Sequence, residues 1–194
     1  MTGRLPPLVT AAHQRAADAG FTLACEPGVG RLLAALAAGV PPRGRILEMG
    51  TGVGVGTAWL VHGLADRADV EVISVEIDPA TAALAQRGTW LPCVSLRIGN
   101  ILDLLAGLGS FDLIFADSQG GKWEGLDRTI AAVRPGGILL VDDMTPPTWM
   151  NEEHRSNTAQ VRDTLVRHPD LVAAELAEAS GMILATRRID HANT

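Results

Sequence analysis

Residues 45 to 56 read Arg45-Ile-Leu-Glu-Met-Gly-Thr-Gly-Val-Gly-Val-Gly56, and this stretch decides the fold. An apolar strand ends in Glu48 and Met49, then runs into glycines at 50, 52, 54 and 56 before a helical pattern begins. Glycines at such a turn admit positive φ and let a ligand approach the backbone closely, while the helix start offers free N–H groups. A polar ligand is expected on this turn.

Downstream of it, short β-branched runs alternate with longer helical ones, the signature of a parallel sheet with crossover helices. The strands are expected at 45–49, 70–75, 93–98, 112–116, 137–141, 171–176 and 182–187, and the helices at 55–65, 79–87, 101–108, 126–133 and 159–168. Pro79 suits a first helical position, where its missing N–H leaves nothing unpaired. Only a few residues around Ser180 and Gly181 join the last two strands, too few for a parallel crossover, so the doubly wound α/β sheet of seven strands should end antiparallel. Ahead of it, 8–19 and 30–39 read as two helices bounded by Pro27 and by Pro41-Pro42, expected to cap one edge of the fold. The whole, 1–194, is read as a single domain, with 1–44 as a helical cap on the core 45–194.

Composition narrows the function classes. Acidic residues number 22 against 16 basic, and a net charge of −6 argues against a phosphate backbone as partner. No apolar run has signal-peptide or membrane-spanning length, so no membrane association and a cytoplasmic location are expected. Cys25 and Cys93 stand far apart with no further Cys or His at metal-ligand spacing, and both are expected to be small buried residues.

A dinucleotide fingerprint asks for G-x-G-x-x-G. Counting from Gly50 puts Val55 at the third glycine position, and counting from Gly52 puts Thr57 there. The pattern present is E-x-G-x-G-x-G. It resembles the cofactor motif of class I S-adenosylmethionine-dependent methyltransferases, a family with a Rossmann-like sheet. The resemblance implies that Glu48 holds the methionine end of S-adenosylmethionine indirectly and that Gly50, Thr51, Gly52 and Gly54 pass beneath it. The second strand ends in Glu76, followed by Ile77. A carboxylate there can accept hydrogen bonds from both ribose hydroxyls, or it is a solvated strand end; we favour Glu76 for the ribose and Asp78 for capping the next helix. Asn100 and Ile101 follow the third strand, where the family contacts adenine. Asn100 either bonds the ring or caps the helix that begins at Ile101.

The fourth and fifth strands end in Asp117 and in Asp142-Asp143, the latter preceded by Arg134-Pro-Gly-Gly137. From about Arg45 to Met144, and weakly in the final hairpin, the chain resembles the catechol and caffeoyl-coenzyme A type of O-methyltransferase. That resemblance implies a small-molecule acceptor and a Mg²⁺ or other divalent cation on Asp117, Asp142 and Asp143, although relatives usually carry asparagine at the third position. The alternative is that Asp117 contacts only the cofactor while Asp142 or Asp143 caps the loop. The relatives' general base falls on Gly120, leaving Lys122 as the nearest catalytic substitute, unless it is a surface lysine; His154 is a second candidate. Trp123, Trp149 and Met150 either wall a flat acceptor or cover the core, and Pro146 and Pro147 stiffen their loop. Family analogy also makes a homodimer through the amino-terminal helices an expectation. Two other readings stay open: a nicotinamide-dependent reductase and a non-catalytic S-adenosylmethionine-binding module.

Overall fold

Strand β1 (Arg45–Met49) is buried from Ile46 onward, as expected of a central parallel strand covered on both faces. The computed structural model describes residues 4–146 and 150–189. In chain order the elements are α1 (Pro7–Asp18), α2 (Pro27–Ala38), β1, α3 (Val55–Leu64), β2 (Glu71–Glu76), α4 (Pro79–Ala85), β3 (Val94–Ile98), α5 (Ile101–Leu108), β4 (Phe111–Ala116), the short and glycine-broken α6 (Gln119–Lys122), α7 (Leu126–Ala132), β5 (Val133–Val141), α8 (Glu152–Arg167), β6 (Leu171–Leu176) and β7 (Met182–Arg187). The sheet order is β3-β2-β1-β4-β5-β7-β6. Pairing is parallel from β3 through β5, and β7 runs antiparallel to both β5 and β6. The expected seven-stranded, doubly wound α/β sheet with an antiparallel end is therefore what forms.

Two apolar layers hold it. One face joins Leu47, Ile73, Ile114 and Leu139 to Leu105, Ile130 and Leu165 of α5, α7 and α8. The other joins Ile46, Val72, Leu113 and Phe115 to Val9, Leu33 and Trp59 of α1, α2 and α3. The amino-terminal helices thus cover a face of the sheet rather than an edge. They get there because α2 crosses α3 at glycine: a Cβ on Gly63 would lie 2.1 Å from the Ala34 carbonyl oxygen.

Two of the element boundaries that differ from the periodic reading have local reasons. Pro27 does not bound α2 but starts it, at a first-turn position that needs no N–H donor. Helix α8 begins at Glu152, seven residues earlier than expected, because the Asn151 side chain accepts a hydrogen bond from the His154 N–H (2.8 Å) and Glu152 and Glu153 complement the helix dipole. Among the described residues no helix is long and apolar enough to cross a membrane.

Candidate active site

Because the chain winds β1-β2-β3 one way and β4-β5 the other, the crevice outside the carboxyl ends of β1 and β4 is the switch point where ligands bind such sheets. A cleft of about 1000 Å³ opens there. Its floor is the glycine turn. Gly50 has φ +99°, and a Cβ on it would sit 2.5 Å from the Asp117 carbonyl oxygen. The turn is pinned to β2: Gly50 and Thr51 N–H donate to the Val75 carbonyl (2.9 and 3.1 Å), and Gly52 N–H donates to Glu76 Oε2 (2.8 Å).

Beneath the turn lies Glu48, fully buried. Its Oε2 accepts hydrogen bonds from Thr57 and from Ser74 Oγ (2.5 Å), and Ser74 in turn shares one with Thr51 (2.5 Å). Its Oε1 is buried without a partner, facing the bare Cα of Gly56, where a Cβ would come within 2.2 Å. Burial pushes this carboxyl up to about 7; the Ser74 and Thr57 hydrogen bonds oppose the shift and the Glu76 charge adds to it.

Glu76, Ile77, Asn100 and Ile101 line the cleft beside the turn. Both Glu76 oxygens accept backbone N–H groups, from Gly52 and from Asp78 (3.0 Å), so this side chain braces the turn. Asp78 caps α4 through Thr81 N–H (2.8 Å). Asn100 Oδ1 caps α5 by accepting from Leu102 N–H (2.9 Å). Ile77 is 67% exposed and, with Leu23 at 81%, leaves an apolar lip at the mouth. Sequence reasoning missed Phe21 to Glu26, which closes one side of the cleft. No spacing or motif marks that segment, and only the packing of α1 and α2 brings it there.

At the far end stand the three aspartates. Burial raises Asp117 well above the carboxylate range, helped by the Asp142 charge and opposed by Lys122. Asp142 is also raised by burial, although its Oδ1 accepts from Ser180 Oγ (2.7 Å) and from the Asp143 N–H (2.8 Å). Asp143 takes φ +58°, and its half-exposed carboxylate lies 3.6 Å from Lys122 Nζ. Among the described residues no three acidic, His or Cys side chains are grouped so that they could hold a metal ion.

Lys122 departs from the surface reading. It is neither a surface lysine nor part of the cleft wall but is 4% exposed behind it, its Nζ donating to the Asp142 carbonyl (3.2 Å). His154 and Met150 do line the cleft. Trp123 packs on the core and meets the His154 ring edge-on at 4.5 Å. Pro147 and Trp149 lie outside the described residues. Cys25 is buried at the cleft wall, where burial pushes its thiol up and away from nucleophilic use, and Cys93 is half-buried.

A switch-point cleft floored by a glycine turn over a buried strand-end carboxylate defines an α/β protein of the nucleotide-cofactor-binding kind. The chain belongs to the methyltransferase-domain family, whose model matches residues 47–144. A protein of Mycolicibacterium vanbaalenii, provisionally named an O-methyltransferase, is 32% identical over 142 residues, which is 69% of this chain and 61% of that protein. One of Mycobacterium avium with the same name is 32% identical over 142 residues, 69% of this chain and 62% of its own length. The chain thus spans about three-fifths of the curated relatives it matches. The solved O-methyltransferase of Bacillus cereus in complex with SAH superposes with a TM-score of 0.81 at 22% identity, covering 97% of this chain and 94% of that one, a likeness of fold.

Proposed function

We propose that this protein transfers a methyl group from S-adenosylmethionine to an oxygen of a small-molecule acceptor. The observation that carries the reading is Glu48: a fully buried carboxylate with one unpartnered oxygen directly beneath the glycine turn of a methyltransferase-family sheet. A buried acid in that state calls for a cation above it, and the ammonium of the cofactor's methionine end supplies one. The names of the relatives support oxygen as the methylated atom.

When bound, the cofactor supplies an electrophilic methyl on a positively charged sulfur. The chain's own residues align and deprotonate, the two things an in-line displacement requires. Glu48 would attract the ammonium, Gly50 to Gly54 would let the cofactor lie against the backbone, and Glu76 would take the ribose hydroxyls. Ile77 and Ile101, which line the cleft, would cover the adenine, while Asn100 keeps its capping bond to Leu102 N–H. His154 would take the hydroxyl proton of an acceptor held in the cleft. It is the imidazole in the cleft wall, steadied by Trp123. We put the reaction in the cytoplasm, a reading that two free thiols support, and light scattering tests a homodimer through the amino-terminal helices.

The test is calorimetric titration with S-adenosylhomocysteine. Micromolar binding is expected. No binding, together with thermal protection by NAD(H), would replace this reading with the reductase one. Binding without turnover of any hydroxylated acceptor would leave a non-catalytic binding module.

A further inference from the structure

We propose that Lys122 is the built-in counter-cation of the acidic junction, standing where a divalent cation would otherwise balance Asp117, Asp142 and Asp143, so that the site recruits no metal. The inference rests on the same cleft being the acceptor site, and it is tested apart from cofactor binding.

Three carboxylates at neighbouring strand ends repel one another unless a positive charge stands among them. The chain brings its own. After Asp117 the sequence runs Ser-Gln-Gly-Gly-Lys122, and the two glycines break α6 at φ −66°, ψ 130° and φ +85°, ψ −19°. Gly121 is pressed onto the core: a Cβ there would fall 2.5 Å from Met49 Sδ, and its carbonyl accepts from Thr129 Oγ1 (2.7 Å) while its N–H donates to the Glu124 carbonyl (2.7 Å). The next residue is thereby sent inward, and the lysine is buried instead of solvated.

A buried ammonium persists only with partners. Here they are the Asp142 carbonyl (3.2 Å) and Asp143 Oδ2 (3.6 Å). Asp143, which pairs with it, takes φ +58°, a left-handed conformation that Asp tolerates better than most L-residues. Two of the carboxylate oxygens a cation would use are engaged in the same stroke. Asp143 gives one to the ammonium, and Asp142 gives Oδ1 to both Ser180 and the Asp143 N–H. A divalent ion needs several free oxygens about 2.0–2.6 Å away, and it would have to enter against the ammonium.

The experiment is Mn²⁺ binding to the full chain followed by electron paramagnetic resonance, for wild type, Lys122→Met and Lys122→Arg, with S-adenosylhomocysteine binding measured on the same samples. The wild type and Lys122→Arg are expected to bind no stoichiometric Mn²⁺ up to about 1 mM, in the weak range of carboxylate sites. Removing the charge in Lys122→Met should create a site at least tenfold tighter. Lys122→Gln serves instead if Lys122→Met fails to fold by near-ultraviolet circular dichroism. Stoichiometric micromolar Mn²⁺ binding by the wild type would overturn the inference, and so would a folded Lys122→Met or Lys122→Gln that gains nothing. Failure to bind S-adenosylhomocysteine would instead strike the proposed function and leave the counter-cation assignment standing.

Discussion

Glu48 shows how one side chain can be set against the stability of its own fold. Its carboxyl ordinarily ionises near 4.5 but is pushed up to about 7 by burial. The folded chain therefore holds the proton more tightly than the unfolded one, so stability falls as pH rises from 4.5 to 7, and the full cost applies above that window. At 1.36 kcal/mol per unit the cost is roughly 3 kcal/mol. Glu48→Gln, of the same shape and uncharged, should be about 1–3 kcal/mol more stable than the wild type in urea at pH 8, with the advantage fading below pH 5. The same variant should bind S-adenosylhomocysteine at least tenfold more weakly, a loss of about 1.4 kcal/mol. An advantage that does not vary with pH would mean that another group carries the cost. The position of Glu48 was legible in the sequence because a strand-end acid before glycines is a local pattern. The loneliness of Oε1 was not, since it depends on Thr57 and Ser74 both choosing Oε2.

Among the helices, α2 crosses α3 at close quarters. Gly63 lies against the Ala34 backbone, and Gly30 leaves room for the Trp59 indole, whose Nε1 would be 2.1 Å from a Cβ there. Gly63→Ala gains about 1 kcal/mol of helix propensity but forces two backbones apart, and overpacking of this kind costs about 1–3 kcal/mol or more. A net loss of at least about 1 kcal/mol is expected in urea unfolding. S-adenosylhomocysteine affinity should stay within about threefold, under 1 kcal/mol, because the glycine turn lies at the other end of α3. A variant as stable as the wild type would show that α2 can slide without loss. The same scale separates what could be read from what could not. The Asn151 cap and the two glutamates after it were visible signals for an earlier start to α8, overlooked because the apolar period is weak there. The insertion of β7 between β5 and β6 has no local signal. It follows from which edge of β5 is free once β4 has taken the other.

Across the whole molecule the sheet lies between two apolar layers, one carrying the amino-terminal helices and the other carrying α5, α7 and α8, and the cleft opens at its carboxyl ends. Both share the central strands, so one cooperative calorimetric transition is expected. A hundredfold excess of S-adenosylhomocysteine over its Kd should add about 2.7 kcal/mol to its stability. Two transitions, with only one moved by ligand, would separate α1 and α2 from the core. What the sequence by itself determined is the alternation of strands and helices, the glycine turn, and the acids that stand at strand ends, because each depends on residues within a few positions of one another. What only the tertiary structure decided is the use of those acids. Lys122 turns inward against β5, Asp143 pairs with it, Ser180 reaches Asp142 across 38 positions, and residues 21–26 close the cleft. Those outcomes are set by contacts between segments far apart in the chain, which exist only once the sheet has brought its carboxyl ends together.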